Sequence, residues 1–279
     1  MKLGLYIADF TFADGPGGLG PTLARIAREA EDAGFDRLAV MDHLWQHPTV
    51  HPERAEEFEM LEAYTTLAHL AAHTSRVKLL ALVTAVSYRA PAMLAKLVTT
   101  LDVLSGGRAI LGLGAGSYPE EARGLDLPFP PLGERFDQVE ATLRVCRDMF
   151  AGRGDRLNHP APLSRPRPPI LVGGGGETRT LRLVAEYADA CNFFGADDLP
   201  RKLRLLREHC DRAGRDFDEI EKSVMHGYFD PDDAGLPADL ERYAALGFTV
   251  AYGGVPRVDE PRQLRAMAER VIPAAAKLG

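Results

Sequence analysis

The chain has 279 residues, of which 46% are hydrophobic and 26% charged, with a net charge of −7. One α/β barrel runs to about 250 residues, so a single domain with a core deep enough for a pocket fits this length. The acidic balance argues against a sequence-independent nucleic-acid binder, and no apolar run approaches the roughly 20 residues of a membrane span.

The elements follow one another as short apolar runs and longer amphipathic stretches. Leu3–Ala8 reads as a strand, and Pro21–Ala33 as a helix with Leu23, Ile26, Ala27 and Ala30 on one face and Gly34 as its stop. A second strand, Asp36–Met41, leads through a His- and Pro-rich loop to a helix near Glu59–His73. Val77–Val83 is the third strand, and Pro91–Leu104 is its helix with proline at the start. Ala109–Leu113 is the fourth strand, followed by an irregular segment, Gly114–Leu132, and a helix, Gly133–Phe150. The proline-rich Pro160–Pro169 leads into strand Ile170–Val172, helix Glu177–Ala188 and strand Ala190–Phe194. Helix Leu199–Ala213, strand Ile220–Met225, helix Pro237–Leu246, strand Phe248–Tyr252 and helix Glu260–Ala275 complete the chain. Eight strands alternating with eight helices predict a (β/α)8 barrel with short insertion loops, as one domain over residues 1–279. A doubly wound open sheet is the competing arrangement, and the count of eight favours the barrel.

Cys146, Cys191 and Cys210 are scattered and form no CxxC, which points to a reducing compartment. The opening MKLGLYIADF is interrupted at Asp9 too early for a secretory signal, so the expected location is the cytoplasm.

Barrel chemistry sits where strands end, and the segments there are the unusual ones. Asp42-His43 follows the second strand. A histidine beside a carboxylate suits proton transfer, and a capping Asp next to a hydrogen-bonded His is the plainer reading. Gly112-Leu113-Gly114-Ala115-Gly116 follows the fourth strand and lets backbone approach a ligand, or forms a tight turn. Gly173-Gly174-Gly175-Gly176 precedes a helix, where free amides and the helix dipole favour a phosphate. His43, His47 and His51 recur every four residues, but Pro48 and Pro52 break the helix this spacing needs. His69 and His73 lack an HExxH, so no metal site is expected. Glu53, Glu56, Glu57 and Glu59 read as a solvated face.

Taken together, LGLYIADF, FDRLAVMDHLW, VKLLALVTAVSYRAPAMLAK, LDVLSGGRAILGLGAGS and PPILVGGGGE with YADACNFFG resemble the luciferase-like monooxygenase superfamily, in its F420-dependent branch. The resemblance runs from about Met1 to Val255, and YRAPAMLAKLVTTLDVLSGGRAILGLGAG carries most of it. It implies a (β/α)8 barrel with F420, or alternatively FMN, as cofactor, and a small-molecule substrate. The family's insertion is short here, which implies a trimmed lid. His43 would handle the proton that accompanies hydride transfer, and Asp42 would contact the cofactor or orient the site. A non-proline cis peptide is expected at Leu82-Val83, or at Val83-Thr84, with Thr84 near the ring. Gly114, Ala115, Gly116 and Ser117 would line the cofactor's tail, and Gly174, Gly175 and Gly176 would hold its phosphate. The family commonly forms homodimers.

Sugar-phosphate dehydrogenases of this family carry an acid after the GxG of the fourth strand, where this chain has Ser117. Glu120 or Glu121 replaces that acid only if the loop folds back. The competing functions are therefore an FMN- and oxygen-using monooxygenase, a barrel that binds its cofactor without turnover, and an unrelated phosphate-binding barrel enzyme. Substrate choice would rest on Phe10–Gly20, His47–Glu59 and Tyr118–Leu132, with Gly15, Gly17, Gly18 and Gly20 forming a mobile first loop.

Overall fold

A computed structural model of the chain describes residues 1–196 and 198–278. Its strands are β1 (Lys2–Ile7), β2 (Arg37–Val40), β3 (Lys78–Ala81), β4 (Thr84–Ala85), β5 (Leu111–Gly114), β6 (Ile170–Gly173), β7 (Ala190–Phe194), β8 (Glu221–Tyr228) and β9 (Val250–Gly254). Each pairs parallel with its neighbours in the order β3-β2-β1-β9-β8-β7-β6-β5-β4. β3 and β4 are the two arms of the expected third strand, separated by Leu82-Val83. The ring closes where the Leu79 amide donates to Arg108 O at 2.9 Å and the Ile110 amide donates to Leu79 O at 2.9 Å. The architecture is the eight-stranded parallel barrel, not the open sheet.

Ten helices are described: α1 (Gly15–Ala33), α2 (Ala63–Ala72), α3 (Pro91–Leu104), α4 (Pro119–Gly124), α5 (Leu132–Phe150), α6 (Thr180–Tyr187), α7 (Leu199–Ala213), α8 (Leu236–Ala245), α9 (Pro261–Ala266) and α10 (Ile272–Ala275). Leu23, Ile26, Ala27 and Ala30 of α1 are buried as their spacing predicts, and Gly34 ends the helix with φ 102°.

Four departures have local causes. Gly15, Gly17, Gly18 and Gly20, expected as a mobile loop, lie in the opening turns of α1. α2 starts at Ala63 because the Glu62 carboxylate accepts the Thr65 amide and caps it there. The segment expected as irregular contains α4, opened by Pro119 with Glu120 and Glu121 in its first turn. The closing helix is broken by a π-helical turn, Met267–Val271, just before Pro273, whose ring cannot sit in a regular turn.

Two apolar layers result from strand alternation. Leu3, Leu5 and Ile7 of β1 face the helices, while Ala39, Leu80, Leu82, Ile110, Leu171, Ala190, Val250 and Tyr252 fill the barrel. The floor of the barrel is a plug. Arg37, 1% exposed, makes a two-pronged pair with Glu221 (2.8 and 3.1 Å) and donates to the Tyr252 hydroxyl at 3.1 Å. Gly4 makes room for it, since a Cβ there would lie 2.5 Å from the Tyr252 ring. Glu221, an odd residue for a strand, is thus the counter-charge of the plug.

Candidate active site

The barrel mouth is shaped first by Val83. The Leu82-Val83 bond is cis, at the first of the two expected positions. Val83 lodges in a bay of three glycines: a Cβ on Gly114 or Gly173 would lie 2.6 or 2.7 Å from its methyl groups. A Cβ on Gly112 would stand 2.1 Å from Ala81 O. Close packing therefore requires glycine at all three positions. Beyond the bay, Gly116 turns with φ 79°, and Arg135 donates to Ala115 O (2.9 Å) and Gly116 O (2.6 Å), fixing that loop.

Asp42 is buried, and both carboxylate oxygens are engaged. Arg89 meets them at 2.7 and 2.8 Å, and the Ala85 amide donates to Oδ2 at 2.9 Å. Arg89 also reaches Glu62 at 2.5 Å and lies over the Tyr64 ring at 5.0 Å. Tyr64 in turn bonds the hydroxyl of Thr84 at 2.8 Å, so the fully buried Thr84 side chain is turned toward α2. This network fastens β4 to the end of β2.

His43 stands beside that anchor. Its Nδ1 is 3.1 Å from Oε2 of Glu121, whose side chain has no exposure. Glu121 also accepts from the Tyr88 hydroxyl and from the amides of Leu44 and Trp45. Burial alone would raise the Glu121 carboxyl; the bonds from His43, Tyr88, Trp45 and Leu44 outweigh it and hold the group below its ordinary range. An ionised carboxylate only accepts, so His43 carries a proton on Nδ1, and in the neutral ring the lone pair is on Nε2. Among the described residues His43 Nε2 has no partner. The loop does fold back: α4 delivers Glu121 to His43, while Ser117 is exposed. A Cβ on Gly124 would lie 2.0 Å from the Trp45 indole, so that ring rests on α4 and locks the two loops together.

His47 packs against His43 with ring centroids 4.8 Å apart, and Tyr118 meets both rings edge-on at 5.8 and 5.0 Å. Gln46, fully buried, ties this loop to Ala8 O and Glu59 O. Phe194 and Tyr228 stand exposed at the ends of their strands.

The third glycine cluster lies between β6 and α6. The Gly174 amide is taken by Asn192 O at 3.1 Å, and Gly174 turns with φ 116°. The amides of Gly175 and Gly176 donate to nothing among the described residues. A Cβ on Gly176 would lie 2.7 Å from Thr180 Oγ1, so this loop closes tightly on the start of α6. Lys202 donates to Gly175 O at 2.6 Å, and Glu177 pairs with Arg201 and Lys202 at 2.9 and 3.2 Å.

The structure thus gathers Asp42, His43, Leu82, Val83, Gly114–Ser117 and Gly174–Gly176 at strand ends on one side of the barrel. Sequence reasoning missed Tyr88 and Arg89 as parts of the site, while His47 and Tyr118 fall in segments expected to govern substrate choice. Pro119 followed by two acids is a helix-start signal that identifies how Glu121 is presented. Among the described residues no three His, Cys, Asp or Glu side chains converge as metal ligands, and no helix is long and apolar enough to cross a membrane.

Comparison with known proteins adds the family. Residues 1–268 match the family described as luciferase-like monooxygenase. An F420-dependent glucose-6-phosphate dehydrogenase of Kineococcus radiotolerans is 28% identical over 97% of this chain and 80% of its own. The F420-dependent tetrahydromethanopterin reductase of Methanopyrus kandleri superposes with a TM-score of 0.78 at 17% identity, covering 98% of each chain. An F420-dependent secondary alcohol dehydrogenase, solved with an F420-acetone adduct, gives 0.79 at 20% identity, again over 98% of each chain. At those identities the two structures bear on the fold alone. The chain belongs to the luciferase-like monooxygenase family.

Proposed function

We propose that this protein is an F420-dependent oxidoreductase that moves a hydride between the deazaflavin and a small organic substrate. The observation that carries it is the His43–Glu121 pair at the mouth of the barrel, with His43 Nε2 free to take or give a proton. Family membership and an F420-dependent relative supply the cofactor.

The residues fit such a cofactor. The unused amides of Gly175 and Gly176 at the start of α6 form a cradle for a phosphate. Val83, seated in its glycine bay, and the neighbouring Leu82 offer an apolar wall for a flat ring, and Gly114–Ser117 would line the tail. When bound, F420 supplies a two-electron hydride donor or acceptor. His43 Nε2 exchanges the accompanying proton with substrate. Glu121 holds the tautomer and stabilises the imidazolium that forms, as an orienting acid does in a catalytic triad. Asp42, with both oxygens spent on Arg89 and Ala85, orients the site rather than reaching the cofactor.

The test is a binding titration against F420 and FMN separately, followed by turnover of the bound form. Micromolar F420 binding with weak FMN binding supports this reading. Preference for FMN points to an oxygen-using monooxygenase, and binding of neither overturns the cofactor assignment.

A further inference from the structure

The two neighbouring histidines at the mouth have opposite hydrogen-bonding characters. His43 donates its Nδ1 proton to Glu121, so in its neutral ring the lone pair is on Nε2. At His47 the order is reversed. The Thr49 amide donates to His47 Nδ1 at 3.2 Å, and the Thr49 hydroxyl lies 2.8 Å from the same nitrogen. A backbone amide only donates, so His47 Nδ1 accepts, and in the neutral ring the proton sits on Nε2. Burial, then the neighbouring His43, push the His47 ring below its ordinary value, which favours its neutral form. Neither Nε2 has a partner among the described residues, and the ring centroids are 4.8 Å apart. Tyr118 holds both rings edge-on, which fixes their relative tilt of 41°.

We propose that His47 is a substrate-positioning residue whose Nε2–H donates to the same substrate oxygen that His43 Nε2 deprotonates, and that the substrate is therefore an alcohol. This rests on the function proposed above. A hydroxyl group suits the pair because it donates one hydrogen bond and accepts another. In the oxidising direction the O–H proton passes to His43 Nε2 and the carbon–oxygen π bond forms. The C–H bond breaks and its hydrogen departs with both electrons as hydride, which oxidised F420, when bound, would accept. His47 keeps its proton throughout and stabilises the oxygen as negative charge builds on it.

Imidazole 15N–1H correlation spectra of the full-length protein read the two tautomers without cofactor or substrate. The expected result is Nδ1–H at His43 and Nε2–H at His47; Nδ1–H at His47 overturns the proposal. Turnover is then measured with F420 and 2-propanol, 2-butanol and cyclohexanol. His47→Leu is expected to lower kcat/KM by about 10- to 100-fold with F420 affinity unchanged, and His47→Gln, which keeps a donor, to recover most of it. Wild-type kcat/KM in His47→Leu overturns the role. Protein that binds F420 but oxidises none of the three alcohols overturns the substrate class, whereas failure to bind F420 sinks the cofactor assignment and leaves the tautomer result standing by itself.

Discussion

The two ends of the barrel handle polar groups in opposite ways. At the floor, Arg37 is matched to Glu221, Asp36 and Tyr252. Nearby, Glu31 accepts the amides of Ser75, Arg76 and Val77, and Arg108 spends its guanidinium on the carbonyls of Ala71, Thr74, Val77 and Ser105. At the mouth, two imidazole nitrogens and the amides of Gly175 and Gly176 have no partners among the described residues. These groups are half-buried or exposed, so water satisfies them until a ligand with matching donors and acceptors takes its place. The floor spends its polar groups on holding the barrel together, and the mouth keeps some of its own open for a ligand.

Variants at each end put this contrast to work. His43→Ala should cut turnover by about 10²- to 10⁴-fold, the range of a positioned acid–base group, in steady-state assays with F420. Unchanged turnover would remove the proton role from the mouth. At the floor, Arg37→Ala strips the partner from a buried charge network and should cost about 3–5 kcal/mol in chemical denaturation. F420 affinity, measured by fluorescence on the folded fraction, should hold, and its loss would mean that the ends are coupled. Glu121→Gln keeps the shape but loses the ionised acceptor, and should lower kcat by about 100-fold while KM changes little. A matching rise in KM would assign Glu121 to loop structure instead.

The smallest effect concerns acid stability. Three amides and the Ser75 hydroxyl outweigh burial and bring the Glu31 carboxyl down to about 2, from its ordinary 4.5. A lowered folded pKa contributes stability fully above 4.5 and loses it as pH falls toward about 2. Denaturation midpoints should therefore fall between roughly pH 5 and pH 3 in the wild type, and less steeply in Glu31→Gln. An equal slope in both would show that other carboxylates dominate the acid limb.

The sequence made the barrel readable because apolar runs such as Leu3–Ile7 and Ile170–Val172 report burial directly, and Gly34 and Pro91 mark helix ends. Its apolar pattern did not reveal the split of the third strand, since Leu79–Val83 is apolar throughout and the break depends on packing against Gly112, Gly114 and Gly173 from other strands; only the family resemblance pointed to Leu82-Val83. His43 was legible from its place after a strand. Its dependence on Glu121 was not, because 78 residues separate the two and only the fold-back of α4 joins them. The glycines of the fourth strand illustrate a further limit. Read alone they suggest a ligand cradle, while the structure uses Gly112 and Gly114 to seat Val83.

That seat has a mechanical consequence. β7 and β8 are laced by five register pairs, and β1 and β2 by four. Between the third strand and β5 the lacing is Leu79 below and Thr84-Ala85 above. At mid-height the Leu82 amide turns back to Val40 O, and methyl groups of Val83 take the place of cross-strand hydrogen bonds. The wall therefore carries a seam sealed by dispersion contacts, which are short-ranged and non-directional. At that height the third strand and β5 are held in register by the fit of Val83 into its glycines, and a side chain of another shape at position 83 would loosen the wall at the mouth while leaving the bonds of the floor in place.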